Sequence, residues 1–221
     1  MTAAPGTGPD GAGRDEGRSG GGGTGGADGG GPPARRLLLG VCGSGNVLAL
    51  PQYLMDLRTG LGPEVEIRMV MTPAAAALLP PATMRLLCEA VHCDGEDEFT
   101  TGHVALADWA ERIVVLPATA DLLGQAAHGL AAGLLGSVLL AHEDPVLFFP
   151  SMNLRMWERP PVRRNVDRLR ADGHAVVDPV KAPAWQLSTR DLRPNLALPP
   201  PRTVTAVIGE FLRPLPAPPG R

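Results

Sequence analysis

The chain has 221 residues, a formal net charge of −3 and three cysteines. Its basic residues are scattered, so no surface is expected to follow a polyphosphate, and nucleic acid is excluded as a partner. Cys42, Cys88 and Cys93 form no CxxC pair, which argues against a disulfide framework and against a metal site and fits a reducing cytoplasm.

Residues 1–34 consist almost entirely of glycine and other small or polar residues. Half of the 28 glycines lie there, and such a segment buries too little apolar surface to offset its ordering entropy. We predict a disordered tail without a secretory signal, because no apolar run precedes Leu37. One globular domain is expected over residues 35–212, followed by a Pro-rich tail at 213–221. No run is long enough to span a membrane.

The first part of the domain predicts alternating strands and helices. Apolar runs mark the strands, and apolar residues at helical spacing mark the helices. Thr72 can cap a helix that Pro73 opens. The predicted elements are a strand at Arg36–Cys42, a loop at Gly43–Asn46, a helix from Val47 to Leu57, a strand at Val65–Met71 and a helix at Ala82–Ala90.

The second part continues this alternation. Arg112–Leu116 and Val146–Phe149 are continuous apolar runs, as expected of strands covered on both faces. The other elements are a helical stretch from Leu122 to Leu140, a helix at Pro161–Ala171, a short strand at Ala175–Val177, a loop or hairpin at 179–201 and a helix at Thr203–Leu212. The fold class is therefore α/β, a single Rossmann-like, flavodoxin-like doubly wound parallel sheet.

Ligands of open parallel sheets bind beyond the carboxyl ends of the strands, so the strand-end loops are candidate sites. The first loop is Gly43-Ser44-Gly45-Asn46. It has two possible interpretations, a phosphate site built from backbone N–H groups or a tight structural turn. The loop at Thr72 has a plainer interpretation as a helix cap. The third loop is Pro117-Ala118-Thr119-Ala120-Asp121. Its small residues either permit close approach of a ligand, or the segment is simply the capped start of a helix. The fourth loop is Phe149-Pro150-Ser151-Met152-Asn153-Leu154-Arg155-Met156-Trp157. It either brings polar and sulfur-bearing side chains to a ligand at the end of a strand, or its Met and Trp residues fill the core.

In this order, and with the pattern His103-x-x-Leu106-x-x-Trp109, these segments resemble the homo-oligomeric flavin-containing cysteine decarboxylases. The resemblance covers about residues 36–212. The form Pro-Ser-Met-Asn-Leu-Arg-Met-Trp is most similar to the epidermin-type peptidyl-cysteine decarboxylases of ribosomal peptide natural-product biosynthesis. It implies FMN as the cofactor, a precursor peptide with a C-terminal cysteine as the partner, and a cofactor site between subunits of a trimer. Trimers of the family often assemble into dodecamers.

The resemblance also assigns residues to FMN. Two positions depart from the family pattern, which has Asn and Thr where this chain has Asp121 and Leu122. A carboxylate is disfavoured beside flavin N1 or the phosphate, so Asp121 is expected at the ring N3–H or the ribityl hydroxyls. The implied cofactor contacts are Gly43, Ser44, Gly45, Asn46, Thr72, Pro117, Ala118, Thr119, Ala120, Asp121, Leu122, Ser151 and Met156.

Catalytic roles are implied for His103 and Asn153. His103 matches the active-site histidine of the family and would be the base, the alternative being a solvated loop residue. Asn153 would hold the carboxylate that is lost, and Trp157 is interpreted as structural. The loop at 179–201 is implied to clamp the peptide, although Trp185 is alternatively a packing anchor. The implied substrate contacts are Met152, Asn153, Lys181, Trp185 and Arg190, with Gln186, Ser188 and Thr189 beside them.

The predicted function is FMN-dependent oxidative decarboxylation of a C-terminal cysteine to an aminoenethiol, on the way to an aminovinyl-cysteine-type lanthipeptide. Oxidation of the cysteine across its S–Cβ bond gives a thioaldehyde, which is an electron sink for loss of carbon dioxide. Two alternatives stay open. A phosphopantothenoylcysteine decarboxylase of coenzyme A biosynthesis is disfavoured, because that branch uses a late cysteine and none follows Cys93. A non-catalytic flavin-fold regulatory subunit is the other.

Overall fold

The computed structural model describes residues 35–94, 102–186 and 190–213, without the side chains of 184–186 and 193–195. The predicted tail at 1–34 lies outside the described residues, as do Ser188, Thr189 and all of the predicted tail at 213–221 except residue 213. The strands are β1 Arg35–Val41, β2 Val65–Met71, β3 Ala90–Cys93, β4 Arg112–Ala118, β5 Val146–Pro150, β6 Ala175–Val176, β7 Val180–Gln186 and β8 Asp191–Ala197. The helices are α1 Leu50–Leu61, α2 Pro73–Leu78, α3 Pro81–Met84, α4 His103–Trp109, α5 Ala120–Ala127, α6 Gly133–Ala141, α7 Leu154–Trp157, α8 Pro160–Ala171 and α9 Pro201–Phe211, with a 3₁₀ helix at Gly45–Ala49 before α1.

Six parallel strands form one sheet in the order β3-β2-β1-β4-β5-β6. The chain first winds outward from β1 to β3 and then returns to the other side of β1 with β4. Strand order therefore reverses between β1 and β4, as in Rossmann-type sheets. The predicted fold class is confirmed. No helix within the described ranges is long and apolar enough to cross a bilayer.

The central strands send alternate side chains into two cores on opposite faces of the sheet. In β1, Leu37 and Leu39 pack with α1, α2 and α9, whereas Leu38 packs with α4, α5, α6 and α8. All three side chains are fully buried. Because both faces are covered, such strands read in the sequence as continuous apolar runs.

Two predicted helical stretches are wrong in extent. The helix predicted at Ala82–Ala90 ends at Met84, and Ala90 instead begins the edge strand β3, which is too short to show an apolar run. The stretch predicted from Leu122 to Leu140 is divided into α5 and α6. Gly129 lies in the intervening turn with a φ of 64°, and Gly133 is the first residue of α6 with a φ of 70°. Side chains with a Cβ avoid this conformation, which interrupts a continuous helix.

The segment predicted as a loop or hairpin is a hairpin, in which β7 and β8 form a separate antiparallel sheet. Pro183 lies opposite Pro194 in its register. Neither residue has an N–H, so these two residues form a non-hydrogen-bonded pair. Leu196 of β8 is 3% exposed and packs into the core that contains α8, which anchors the base of the hairpin to that face.

Candidate functional site at the switch in strand order

The carboxyl ends of β1, β2 and β4 lie side by side where strand order reverses. Open α/β sheets bind ligands at this point, because the connections on either side of β1 leave in opposite directions. A cavity of about 500 Å³ opens there and includes the predicted cofactor residues Gly43, Thr72, Thr119, Asp121 and Leu122. The rest of its lining is Cys42, Pro73, Ala74, Asp94, Gln125, Ala132, Gly133 and Leu135.

Three predicted cofactor side chains form a hydrogen-bonded group between the first loop and the end of β5. The hydroxyls of Ser44 and Ser151 are 2.9 Å apart, and the Asn46 amide donates to the Ser151 hydroxyl at 2.9 Å. The Ser151 N–H donates to the Ala118 carbonyl at 2.8 Å. Ser151 is only 4% exposed, and these contacts satisfy polar atoms that are costly to bury alone. The fold thus joins residues that lie more than 100 positions apart in the sequence.

Thr72 and Thr119 each follow a strand and cap the next helix. The Thr72 hydroxyl accepts the N–H of Ala75, and the Thr119 hydroxyl accepts the N–H of Leu122, each at 3.3 Å. Capping fixes the hydroxyl oxygen at the edge of the cavity, while the O–H proton of Thr72 can be donated to a ligand. Helix capping and ligand binding are therefore compatible at Thr72.

Cys42 forms an uncharged part of the cavity wall. Burial raises the pKa of its thiol to about 11, although hydrogen bonds from Thr119 oppose that rise. Such a thiol stays protonated at neutral pH and is a poor nucleophile. The Asp121 carboxylate, also in the wall, accepts a hydrogen bond from the Gln125 amide at 2.7 Å.

Part of the cavity wall was missed by the sequence prediction. Asp94 follows β3, and its carboxylate accepts the N–H of Leu134 at the start of α6. A Cβ at Gly133 would overlap that carboxylate, so glycine is required for the contact. The available signal was a polar residue after a strand. It was hidden because Ala90–Cys93 was not recognised as a strand.

Several predicted cofactor residues also have structural tasks. A Cβ at Gly43 would overlap Ala74, so this glycine lets the first loop pack against α2. Pro117 and Ala118 are the last residues of β4 and are buried, and the predicted third loop therefore begins at Thr119. Gly45 and Ala120 open the helices after β1 and β4.

Asn153 is exposed and caps α7. Its Oδ1 accepts the N–H of Met156 at 2.9 Å, so the Nδ2 protons are directed away from the helix and can be donated to a ligand. Met156 is 43% exposed, whereas Met152 is partly buried against the core that contains α8. Trp157 is 8% exposed, with the Arg163 guanidinium 4.7 Å above its ring, which supports the structural interpretation.

Of the predicted site residues that the structure describes, only Gly43, Thr72, Thr119, Asp121 and Leu122 line the cavity at the switch point. The Ser44–Asn46–Ser151 group, the Asn153 cap and the predicted residues of α4 and the hairpin lie outside its lining. His103 is the exposed first residue of α4, and because α4 leads into the amino end of β4, it lies toward the carboxyl edge of the sheet. Among the described residues it has no hydrogen-bond or ion-pair partner. Lys181 and Arg190 are exposed on the hairpin, and the side chain of Trp185 is outside the described part.

Residues 31–193 match the protein family described as Flavoprotein. The chain belongs to this family. As a flavoprotein it is similar to mersacidin decarboxylase of Bacillus sp. (strain HIL-Y85/54728), with 38% identity over 165 residues that cover 74% of this chain and 84% of that protein. Epidermin decarboxylase of Staphylococcus epidermidis is 26% identical over 164 residues, covering 74% of this chain and 88% of that protein.

The crystal structure of the FMN-dependent cysteine decarboxylase SpaF superposes with a TM-score of 0.66 at 37% identity, covering 81% of this chain and 96% of that chain. The family predicted from the sequence is confirmed.

The polar groups at this edge of the sheet suit FMN. The Ser44–Asn46–Ser151 group and the start of the 3₁₀ helix offer hydroxyl, amide and backbone donors, which suit a phosphate and ribityl hydroxyls. The two carboxylates of the cavity, Asp94 after β3 and Asp121 in α5, already have N–H donors of the chain as partners. The residues therefore fit the cofactor.

Proposed function

We propose that this flavoprotein is an FMN-dependent peptidyl-cysteine decarboxylase that converts the C-terminal cysteine of a precursor peptide to an aminoenethiol. The observation that carries the proposal is the arrangement of the segment after β5. Ser151 is bonded to the first loop, and two residues later Asn153 presents an oriented amide at the same edge of the sheet. One short segment thus connects the cofactor loops to a group that can bind a carboxylate.

FMN would be held by Ser44, Asn46, Thr72, Thr119 and Ser151, and it supplies a two-electron acceptor for oxidation of the cysteine. The resulting thioaldehyde is β to the carboxylate and accepts the electron pair of the C–C bond as carbon dioxide leaves. The buried Cys42 thiol takes no part in this, because it stays protonated at neutral pH.

Asn153 and His103 would act on the substrate. Asn153 Nδ2 would donate to the C-terminal carboxylate and hold it in the reacting geometry, while its Oδ1 remains bound at the helix cap. His103 would accept the thiol proton, because an imidazole nitrogen can act as a general base. Because His103 is exposed and away from the cavity, we propose that it serves the site of a neighbouring subunit in a trimer, with trimers forming a dodecamer.

The product is proposed to leave as the enethiol. Reduction to a saturated thiol would need a late cysteine, and none follows Cys93 in the whole chain. The hairpin of β7 and β8, with Lys181, Trp185 and Arg190, is proposed to cover the peptide. We place the reaction in the cytoplasm as a step toward an aminovinyl-cysteine-type lanthipeptide.

Incubation of the purified protein with a synthetic peptide ending in Cys tests the function. We expect a yellow protein and a mass loss of about 46 Da from the peptide, since carbon dioxide and two hydrogens are removed. The same peptide ending in Ser is the matched control and should keep its mass. A colourless protein that does not take up FMN, or conversion only of phosphopantothenoylcysteine, would contradict the proposal.

A further inference from the structure

The surface that follows Asn153 is basic, although the whole chain has a net charge of −3. Between Asn153 and Asn165 there are four arginines, Arg155, Arg159, Arg163 and Arg164, against one carboxylate, Glu158. A local excess of one charge on a chain of the opposite sign is typical of a surface that recognises a charged partner.

One of these arginines is engaged within the protein. Arg163 lies over the Trp157 ring and within 3.8 Å of the Asp178 carboxylate. Arg155, Arg159 and Arg164 are exposed, and within the described part of the chain their guanidinium groups have no ion-pair or hydrogen-bond partner. We refer to these three residues as the arginine face.

The arginine face lies at the proposed active-site edge of the sheet. β5 ends at Pro150 on that edge, and α7 and α8 follow directly, so their first turns are next to it. Arg155 is the second residue of α7, only about 3 Å along the helix axis from the Asn153 cap. Arg164 is four residues into α8, about 6 Å along its axis. The opposite side of α8 is buried through Val166 and Leu169, which holds the arginines toward solvent.

We propose that the arginine face binds acidic residues of the precursor peptide that lie upstream of its C-terminal cysteine. This inference rests on the proposed function. A peptide held by Asn153 at its C-terminal carboxylate must leave the site past neighbouring surface, and guanidinium groups without partners pair well with Asp and Glu side chains. Exposed ion pairs are weak, so each contact is expected to improve kcat/KM about two- to fivefold.

Two peptides that end in the same residues and in Cys test this inference. One carries two Asp residues upstream, and the other carries Asn at those positions. Wild-type protein should turn over the Asp peptide with a kcat/KM roughly fourfold to tenfold higher, mainly through KM, and the ratio should shrink as salt is added. The double variant Arg159→Gln/Arg164→Gln should bring the ratio close to one.

Arg85→Gln is the matched control, because Arg85 is also exposed but follows α3 on the way to the amino end of β3. It should leave the ratio unchanged. Equal kcat/KM values for the two peptides with wild-type protein, or an unchanged ratio in the double variant, would overturn the inference while leaving decarboxylation intact. If neither peptide loses mass, the proposed function itself is wrong.

Discussion

The side chain of Asn153 carries two polar groups that we assign different tasks. Its Oδ1 caps α7, and its Nδ2 is the proposed carboxylate donor. Asn153→Asp keeps an oxygen for the cap and replaces the donor by a carboxylate that repels the substrate. We expect stability to change little, because Asp caps as well as Asn, and turnover to fall about 10- to 100-fold. Urea unfolding and mass-spectrometric turnover measure the two effects.

Asn153→Ala provides the comparison for that variant. It removes both atoms, so it should lose about 1 kcal/mol of stability with the cap, in addition to the loss of turnover. Full activity of Asn153→Asp would mean that the amide does not hold the carboxylate.

His174 makes the stability of the protein dependent on pH. Burial lowers the pKa of His174, His142 adds to that effect and Asp172 opposes it. Its Nδ1 accepts the N–H of Val146 at 3.1 Å, which requires the neutral ring. The unfolded state, with an ordinary histidine pKa near 6.5, therefore binds the proton more readily than the folded state. This stabilisation is complete above about pH 6.5 and is lost as the pH falls below that value.

Urea midpoints at pH 7.5 and pH 5.5, chosen to bracket the usual histidine pKa of about 6.5, measure this effect. The wild-type midpoint should fall between them, and the fall should be smaller in His174→Gln, whose side chain does not titrate. An equal fall in both proteins would assign the pH dependence to other groups.

Among the elements, the start of α6 depends on a glycine for two reasons. Gly133 has a φ of 70°, and a Cβ there would overlap Asp94, whose carboxylate accepts the Leu134 N–H. Gly133→Ala should therefore cost about 2 to 4 kcal/mol, the sum of backbone strain and a lost charge-assisted hydrogen bond. It should also weaken FMN binding, because both residues line the cavity.

Gly129→Ala is a closely matched control for this variant. Its φ is 64°, but the nearest atom to an added Cβ is Leu140 Cδ1 at an ordinary 3.9 Å. It should cost only the backbone strain, about 1 to 2 kcal/mol. Guanidinium unfolding of the two variants gives the difference, and equal values would mean that the Asp94 contact adds nothing.

The sequence predicted the elements whose signal is local. Strands buried on both faces, such as β4 and β5, were recognised because nearly every residue position is under the same apolar requirement. The edge strand β3 was missed because its four residues alternate in burial. The break between α5 and α6 was missed because Gly129 and Gly133 take a left-handed backbone that residue spacing does not reveal.

The same distinction applies to the site. The loops that would hold FMN follow predictable strands, so the sequence places Ser44, Thr72, Thr119 and Ser151 at the ends of strands that lie in one sheet. The hydrogen bonds between Ser44, Asn46 and Ser151 could not be predicted, because they depend on which strands become neighbours. The contact of Asp94 with the start of α6 depends on tertiary packing in the same way.

For the whole molecule, we predict that the Gly-rich residues 1–34 are dispensable for folding and cofactor binding. The cavity residues lie between Cys42 and Leu135, and both cores are built from residues after Arg36. A variant that begins at Arg35 should bind FMN equally well and unfold within about 2 °C of the full chain. Flavin absorbance and thermal unfolding test this, and a clearly lower midpoint would move the domain boundary toward the N-terminus.

The opposed prolines of the hairpin limit how β7 and β8 can meet another chain. In a non-hydrogen-bonded pair the N–H groups point away from the partner strand, toward the outer edges of the hairpin. Because Pro183 and Pro194 have no N–H, neither outer edge offers a hydrogen-bond donor at this residue pair. A strand from another chain therefore cannot form an uninterrupted ladder of hydrogen bonds past this residue pair. If this hairpin covers the peptide, the peptide cannot form a continuous ladder of hydrogen bonds past Pro183 or Pro194.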